Sequence, residues 1–219
     1  MASYSDVITT VQSGDVDAIR KLLADDPELA SAEDANGVSA LMLAFYFRRA
    51  EIADLLLAAK PELDIFEATA AGKANRVSEI LRQDSQSARQ WSADGFTALH
   101  FAAFFNGPEI ARILIEHGAD VSAAAENKMK VTPLHSAAAA PSCKIVRILV
   151  ENGADANARQ EGGWTALHEA AQIGDMEMVT ALLDHGADAH AKSDDGKTPA
   201  EMAKAKGHEQ MRRLLSDSA

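Results

Sequence analysis

The sequence is poor in several features that define other structural classes. It has one cysteine, Cys143, among 219 residues, which excludes an internal disulfide framework and suits a reducing compartment. No stretch approaches the roughly 18 uncharged apolar residues that a membrane span needs. The first residues lack the basic and apolar runs of a signal peptide. We therefore expect a cytoplasmic protein that does not bind a membrane.

Positive charge is also scarce. The chain has 21 Lys and Arg against 33 Asp and Glu, a formal net charge of −12, which argues against nucleic acid as the partner. Half of that charge, −6, lies in residues 1–34. We interpret this acidity as a solubilised end of the molecule, and the alternative is a patch that steers a basic partner.

Residues with catalytic or metal-binding chemistry form no recognisable motif. His185 and His190 stand without a cysteine or a His-Glu-x-x-His pattern, and glycine-rich phosphate-binding runs are missing. No histidine is placed to activate Cys143, so we expect a buried or half-buried thiol. The sequence therefore predicts no catalytic residue, no metal and no cofactor.

What the chain does have is a four-residue phrase that recurs at steps of 35, 33 and 33 residues. Self-similarity at this period indicates a stacked array, in which neighbouring units complete one another's hydrophobic core. The four copies are Thr97-Ala98-Leu99-His100, Thr132-Pro133-Leu134-His135, Thr165-Ala166-Leu167-His168 and Thr198-Pro199-Ala200-Glu201.

The best-formed unit covers residues 94–123. Gly95 suits a tight turn with positive φ, and the Thr97 hydroxyl can cap a first helix over about 98–105. Pro108 suits the first turn of a second helix. The unit is therefore predicted to consist of a helix, a second helix and a hairpin.

The phrase, followed by Ala102-Ala103 and Gly118-Ala119-Asp120, resembles the ankyrin repeat. The resemblance implies an all-α solenoid of stacked helix-turn-helix units with short β-hairpin fingers. It also implies a structural role for the histidines of the phrase, whose rings bridge hairpins and helix starts. We delimit seven units in a single domain spanning 1–219, at about 4–33, 34–60, 61–91, 92–123, 124–158, 159–191 and 192–217.

Two stretches depart from the pattern. The third and fourth units resemble a copy of the first two, offset by 58 residues, and the third lacks about nine residues at its entrance. We predict a helix pair without a finger through 58–66, and a break or altered curvature there. In the fifth unit, two extra residues fall in the hairpin, and Pro141 should stop the first helix sharply.

Aromatic side chains mark the expected binding surface. In ankyrin repeats, partners usually contact the hairpin residues around the turn glycine and the residues that close the first helix. Six of the 11 aromatic residues occupy such positions, and those in hairpins, such as Phe96 and Trp164, should point outward. Whether Phe47 and Phe105 are exposed or packed between units stays open. The candidate partner-binding residues are Tyr46, Phe47, Arg48, Phe96, Phe104, Phe105, Met129, Val131, Trp164 and Ile173.

The sequence thus predicts a non-catalytic, monomeric protein-interaction module that binds a partner protein on its concave face. The alternative is a regulatory inhibitor or immunity-type protein that occludes a target enzyme, steered by its acidic first unit. The partner, the organism and the pathway are not indicated by any residue pattern.

Overall fold

The computed structural model of the chain describes residues 3–60 and 62–218. Fourteen α-helices occur in these residues, and each odd-numbered helix packs against the one that follows it. The helices are α1 Tyr4–Ser13, α2 Val16–Asp25, α3 Ala40–Tyr46, α4 Ala50–Ala59, α5 Ile65–Ala70, α6 Ala74–Gln83, α7 Ala98–Phe104, α8 Pro108–Glu116, α9 Pro133–Ala139, α10 Cys143–Glu151, α11 Ala166–Ile173, α12 Met176–Asp184, α13 Pro199–Ala205 and α14 Glu209–Asp217. Short 3-10 helices lie at Pro27–Ser31, Ser85–Arg89 and Glu161–Gly163.

The helix pairs stack in chain order. The odd-numbered helices contact one another without a break from α1 to α13, whereas the even-numbered helices pack in two series, α2 with α4 and α6 through α12. Strand pairing in the described residues is limited to two isolated antiparallel bridges, Glu33 with Ser39 and Trp91 with Thr97. The fold is an all-α solenoid, as the sequence predicts.

The recurring phrase starts a helix through a reciprocal capping box. The Thr97 backbone N–H donates to Nδ1 of His100 at 3.2 Å, and the threonine hydroxyl lies 2.8 Å from the same nitrogen. These contacts satisfy polar groups that a helix start would otherwise leave without partners. Boxes of this kind open α1, α5, α7, α9, α11 and α13.

Fingers project between successive helix pairs, and each is closed by a backbone hydrogen bond. They cover residues 34–38, 92–96, 125–131, 160–164 and 193–197. The finger at 125–131 is two residues longer than the others, which confirms where the extra residues of the fifth unit lie. After it, α9 ends at Ala139, close to the predicted stop at Pro141.

The last four fingers are joined tip to tip. The backbone N–H of Glu126 donates to the carbonyl of Gly95, and the same link is made by Glu161 to Met129 and by Asp194 to Gly162, each at 2.9 Å. Gly95 has φ of +81°, and a Cβ atom there would lie 3.0 Å from the Glu126 carbonyl. Both the turn and the close approach of the next finger therefore favour glycine.

The offset of 58 residues is visible in the structure. Helices α2 and α6, the 3-10 helices at Pro27–Ser31 and Ser85–Arg89, and the two antiparallel bridges are each related by this step. The resemblance between the first two and the following two predicted units therefore extends to their local structure.

The row of fingers is interrupted before α5, as predicted for residues 58–66. Helix α4 ends at Ala59 and α5 begins at Ile65; Pro61, where the predicted third unit begins, lies outside the described residues. The fingers at 34–38 and 92–96 are neighbours as a result, because a Cβ atom on Gly37 would lie 3.2 Å from that of Ala93.

The hydrophobic core divides at the same place. One cluster of buried side chains runs from Val7 to Leu56, and another from Ile65 to Leu215. We refer to residues 3–60 as the first block and to residues 62–218 as the second block. A third, small cluster of Met42, Ala70 and Phe101 lies between them on the side of the odd-numbered helices.

A buried ion pair takes the place of the missing finger. Glu67 stands in α5 where His100 stands in α7, and its carboxylate accepts a hydrogen bond from the Lys60 ammonium at 2.6 Å. The Glu67 side chain is 1% exposed and that of Lys60 is 14% exposed. The residue at this capping position contacts a hairpin carbonyl in α7, α9 and α11, whereas in α5 it pairs with a lysine.

Candidate functional site

A largely apolar cavity of about 370 Å³ lies between the fingers and the odd-numbered helices, at the centre of the stack. Its walls come from α3, α7, α9 and α11 and from three successive fingers. Such a size and lining are typical of a binding site rather than a packing defect. The lining residues are Tyr46, Asp94, Phe96, His100, Phe101, Phe104, Met129, Val131, His135, Ser136, Ala139, Gln160 and Glu169.

Phe101 is the hub of the aromatic wall. Its side chain is 3% exposed, and its ring centroid lies 5.8 Å from that of Phe96 and 5.9 Å from that of Phe66. Tyr46 and Phe105 pack against it at 6.4 and 6.5 Å. These separations favour aromatic attraction beyond simple burial, so the wall is held in one shape.

Tyr46 ties this wall to the first block. Its hydroxyl donates a hydrogen bond of 2.5 Å to the Asp94 carboxylate, which also accepts from the Ser92 hydroxyl. Burial and the nearby Asp94 charge raise the pKa of the Tyr46 hydroxyl well above its ordinary value. Tyr46 is therefore held neutral, with its ring against Phe101.

Half of the predicted partner-binding residues line this cavity. They are Tyr46, Phe96, Phe104, Met129 and Val131. Phe104 is 45% exposed and Met129 is 47% exposed, and they are the two large apolar side chains of the lining that are exposed. The finger and the helix end that carry them come from consecutive helix pairs.

The other half lies outside the cavity. Phe47 is 45% exposed and Ile173 is 36% exposed, and neither lines it. Phe105 is half-buried because its ring packs between Phe45 at 5.6 Å and Phe104 at 5.2 Å. Of the two alternatives left open by the sequence, Phe47 is therefore exposed and Phe105 is packed against other aromatic rings. The remaining residues outside the cavity are Arg48 and Trp164.

The structure qualifies the expectation that hairpin rings such as Phe96 and Trp164 point outward. Phe96 and Trp164 are both half-buried. The Phe96 ring packs on His100 at 5.7 Å, and the Trp164 ring packs on His168 at 6.0 Å. Both rings cover the histidine of their own unit, so only part of each faces solvent.

Eight of the thirteen lining residues are not among the predicted binding residues, and three of these eight share one repeated position. Phe101, Ser136 and Glu169 each follow the histidine of the phrase directly, at one repeated position of three successive units. The first turn of a helix places this position beside the finger. Their shared position after the histidine could have identified them. Their residue types could not, because an aromatic residue, a serine and a glutamate share no chemistry.

The histidines of the phrase fix the fingers relative to the helices. Nε2 of His100 lies 3.0 Å from the Val131 carbonyl, and His135 and His168 make the same contact to Trp164 and Lys197. Because Nδ1 accepts from the threonine backbone, Nε2 carries the hydrogen and donates. Burial lowers the pKa of His100 to about 4, which keeps the ring neutral as this pattern requires. The bridging role implied by the resemblance is confirmed.

Other polar residues singled out in the sequence have ordinary surroundings. Cys143 begins α10, half-buried, and burial raises the pKa of its thiol, which opposes thiolate chemistry. Asp15 and Asp26, two carboxylates of the acidic first unit, accept backbone hydrogen bonds as N-caps.

No helix among the described residues is long and apolar enough to cross a membrane. Within the same residues, no three His, Cys, Asp or Glu side chains gather as metal ligands.

Stacked helix pairs with projecting fingers and histidine-capped helix starts define a helical repeat protein. The family model for ankyrin repeats (3 copies) matches residues 65–160 and 137–219, which together make up more than half of the chain. The chain belongs to the ankyrin-repeat family. No curated protein was found to match it. Ankyrin repeats are generally non-catalytic protein–protein interaction modules.

Proposed function

We propose that this protein is a non-catalytic interaction module that binds a partner protein through the central cavity. The whole chain forms one stack of seven units in this proposal, with the boundaries given above, and acts as a monomer. The cavity, not the full set of ten candidate residues, is the contact centre. Phe47, Arg48 and Ile173 lie outside it, as do Phe105, which packs against Phe101 and Phe104, and Trp164, which packs against His168.

The observation that carries the proposal is the exposure of Phe104 and Met129, two residues that line an apolar cavity. Nearly half of each side chain faces solvent, although apolar surface of this size favours burial. Exposed apolar groups that rim a cavity commonly mark a protein interface. The buried contacts around Phe101 fix the wall before a partner arrives, which lowers the entropic cost of binding.

The inhibitor alternative has less support. It assigns the carboxylates of the first unit to steering, and none of them lines the cavity. The cavity lies away from them, in walls that come mainly from the second block. A general interaction module therefore fits the location of the exposed apolar surface better.

The test is affinity capture with quantitative mass spectrometry, using three forms of the full chain as bait. The double variant Phe104→Ala with Met129→Ser should lose the proteins that the parent chain captures, by ten-fold or more for a hot-spot pair. Phe47→Ala is the matched control, because Phe47 is equally exposed but lies outside the cavity. Equal capture by all three baits would reject this placement, provided that circular dichroism shows intact folding.

A further inference from the structure

The charged side chains that line the cavity are acidic. Two carboxylates, those of Asp94 and Glu169, are among its lining residues, and no lysine or arginine is. Asp94 is satisfied by the hydroxyl groups of Tyr46 and Ser92. Glu169 is the carboxylate that remains available to a ligand.

Glu169 lies in the first turn of α11 and is half-buried in the cavity wall. Burial alone raises the pKa of its carboxyl group, with no hydrogen bond or opposite charge from the described residues acting on it. A carboxylate in apolar surroundings is costly unless a cation or a hydrogen-bond donor meets it. A bound cation would supply that compensation.

The aromatic end and the acidic end are separated along the stack. Phe96, Phe101 and Phe104 belong to the unit of α7, whereas Glu169 belongs to that of α11, and α9 lies between. Neighbouring helices pack about 8–10 Å apart, so the two ends lie on the order of 10–20 Å from each other. An extended chain covers about 3.3 Å per residue, which corresponds to roughly three to six residues.

We propose that the cavity recognises a partner segment with a large apolar side chain and, three to six residues away, a lysine or arginine. The apolar side chain occupies the space between Phe96, Phe104 and Met129, and the cation pairs with Glu169. This inference rests on the proposed function and adds the chemistry of the partner. The excess of negative charge on the chain, −12, favours the same partner by long-range attraction.

The test is selection of random 16-residue peptides displayed on phage against the full chain. Binders retained by the variant with Phe104→Ala and Met129→Ser are discarded. The remaining peptides should pair an apolar residue with Lys or Arg at the stated separation. Glu169→Gln should weaken their binding about ten-fold, as expected for a lost charge-assisted contact. Replacing the peptide's basic residue by Gln should have the same effect, and the two changes together should add little more.

The matched control is Glu161→Gln, since Glu161 is an exposed fingertip carboxylate outside the cavity, and it should leave affinity unchanged. Peptides that need Phe104 and Met129 but bind equally well to Glu169→Gln would overturn the cation site and leave the proposed function standing. If no selected peptide depends on Phe104 and Met129, both proposals fail.

Discussion

The first block and the second block are built from the same kind of helix pair but are held together differently. In the second block, successive units share one core, and from α7 onward they are also joined by a histidine-to-carbonyl bridge and a tip-to-tip hydrogen bond. At the junction between the blocks the core divides, and a buried ion pair and an aromatic cluster replace the finger. The regular repeats are therefore joined largely through backbone carbonyl and amide groups. The junction between the two blocks depends instead on the side chains of a few particular residues.

The largest expected effect comes from truncating one leucine in each core. Leu41 and Leu134 are 0% and 1% exposed, so Leu41→Ala and Leu134→Ala should each cost about 2–5 kcal/mol of stability. Because the cores are separate, Leu41→Ala should raise hydrogen exchange mainly in the first block and Leu134→Ala mainly in the second. Equal increases in both blocks for both variants would show that the chain unfolds as one unit.

The ion pair at the junction gives the next largest effect. Lys60→Met leaves the buried Glu67 carboxylate without its cation and should cost about 3 kcal/mol, measured by urea unfolding. The control is Arg20→Met, which breaks an exposed pair with Glu51 and should change stability little. If the two variants are equally stable, the pair does not hold the junction.

Acid should destabilise the second block through its histidines. The folded His100 resists protonation down to a pKa of about 4, whereas an unfolded histidine takes up a proton near pH 6.5. The stabilisation is therefore complete above pH 6.5 and is lost as the pH falls towards 4. From His100 alone the loss reaches about 2 kcal/mol at pH 5. Urea unfolding of His100→Gln should show a shallower fall between pH 7 and 5; an identical slope would contradict the assignment.

A small gain is expected at Thr69 in α5, at the position where α7, α9, α11 and α13 have alanine. Its hydroxyl is buried and has no hydrogen-bond partner among the described residues. Thr69→Val keeps the shape and should raise stability by about 1 kcal/mol in thermal unfolding. Thr97→Val removes a hydroxyl that contacts His100 and should have the opposite sign. A loss at both positions would mean that Thr69 is satisfied in solution.

Helix positions were well predicted because they depend on local patterns. Predicted helix 98–105 is observed as Ala98–Phe104, and the second helix begins at Pro108 as expected. Both ends are set by capping and turn residues within a few positions. The absent finger was also predictable, since it follows from the number of residues between helices.

Only five of the thirteen cavity residues were predicted, because the wall depends on contacts between distant units. Phe45 and Phe105, for example, meet across a whole helix pair, with ring centroids 5.6 Å apart. The aromatic pattern indicated which aromatic residues occupy candidate binding positions. It did not indicate which of their rings pack against one another. Glu169 was missed since a glutamate early in a helix is most often exposed, whereas here it is half-buried in the cavity wall.

The position of Tyr46 has a thermodynamic consequence. This ring reaches the cavity from the first block, while nearly all the remaining wall belongs to the second. An occupant that rests on Tyr46 is bound more tightly when the first block is docked, and by reciprocity it strengthens the docking by an equal free energy. Ligand binding in the cavity and docking of the first block onto the second are therefore linked by one coupling free energy, which either measurement reports.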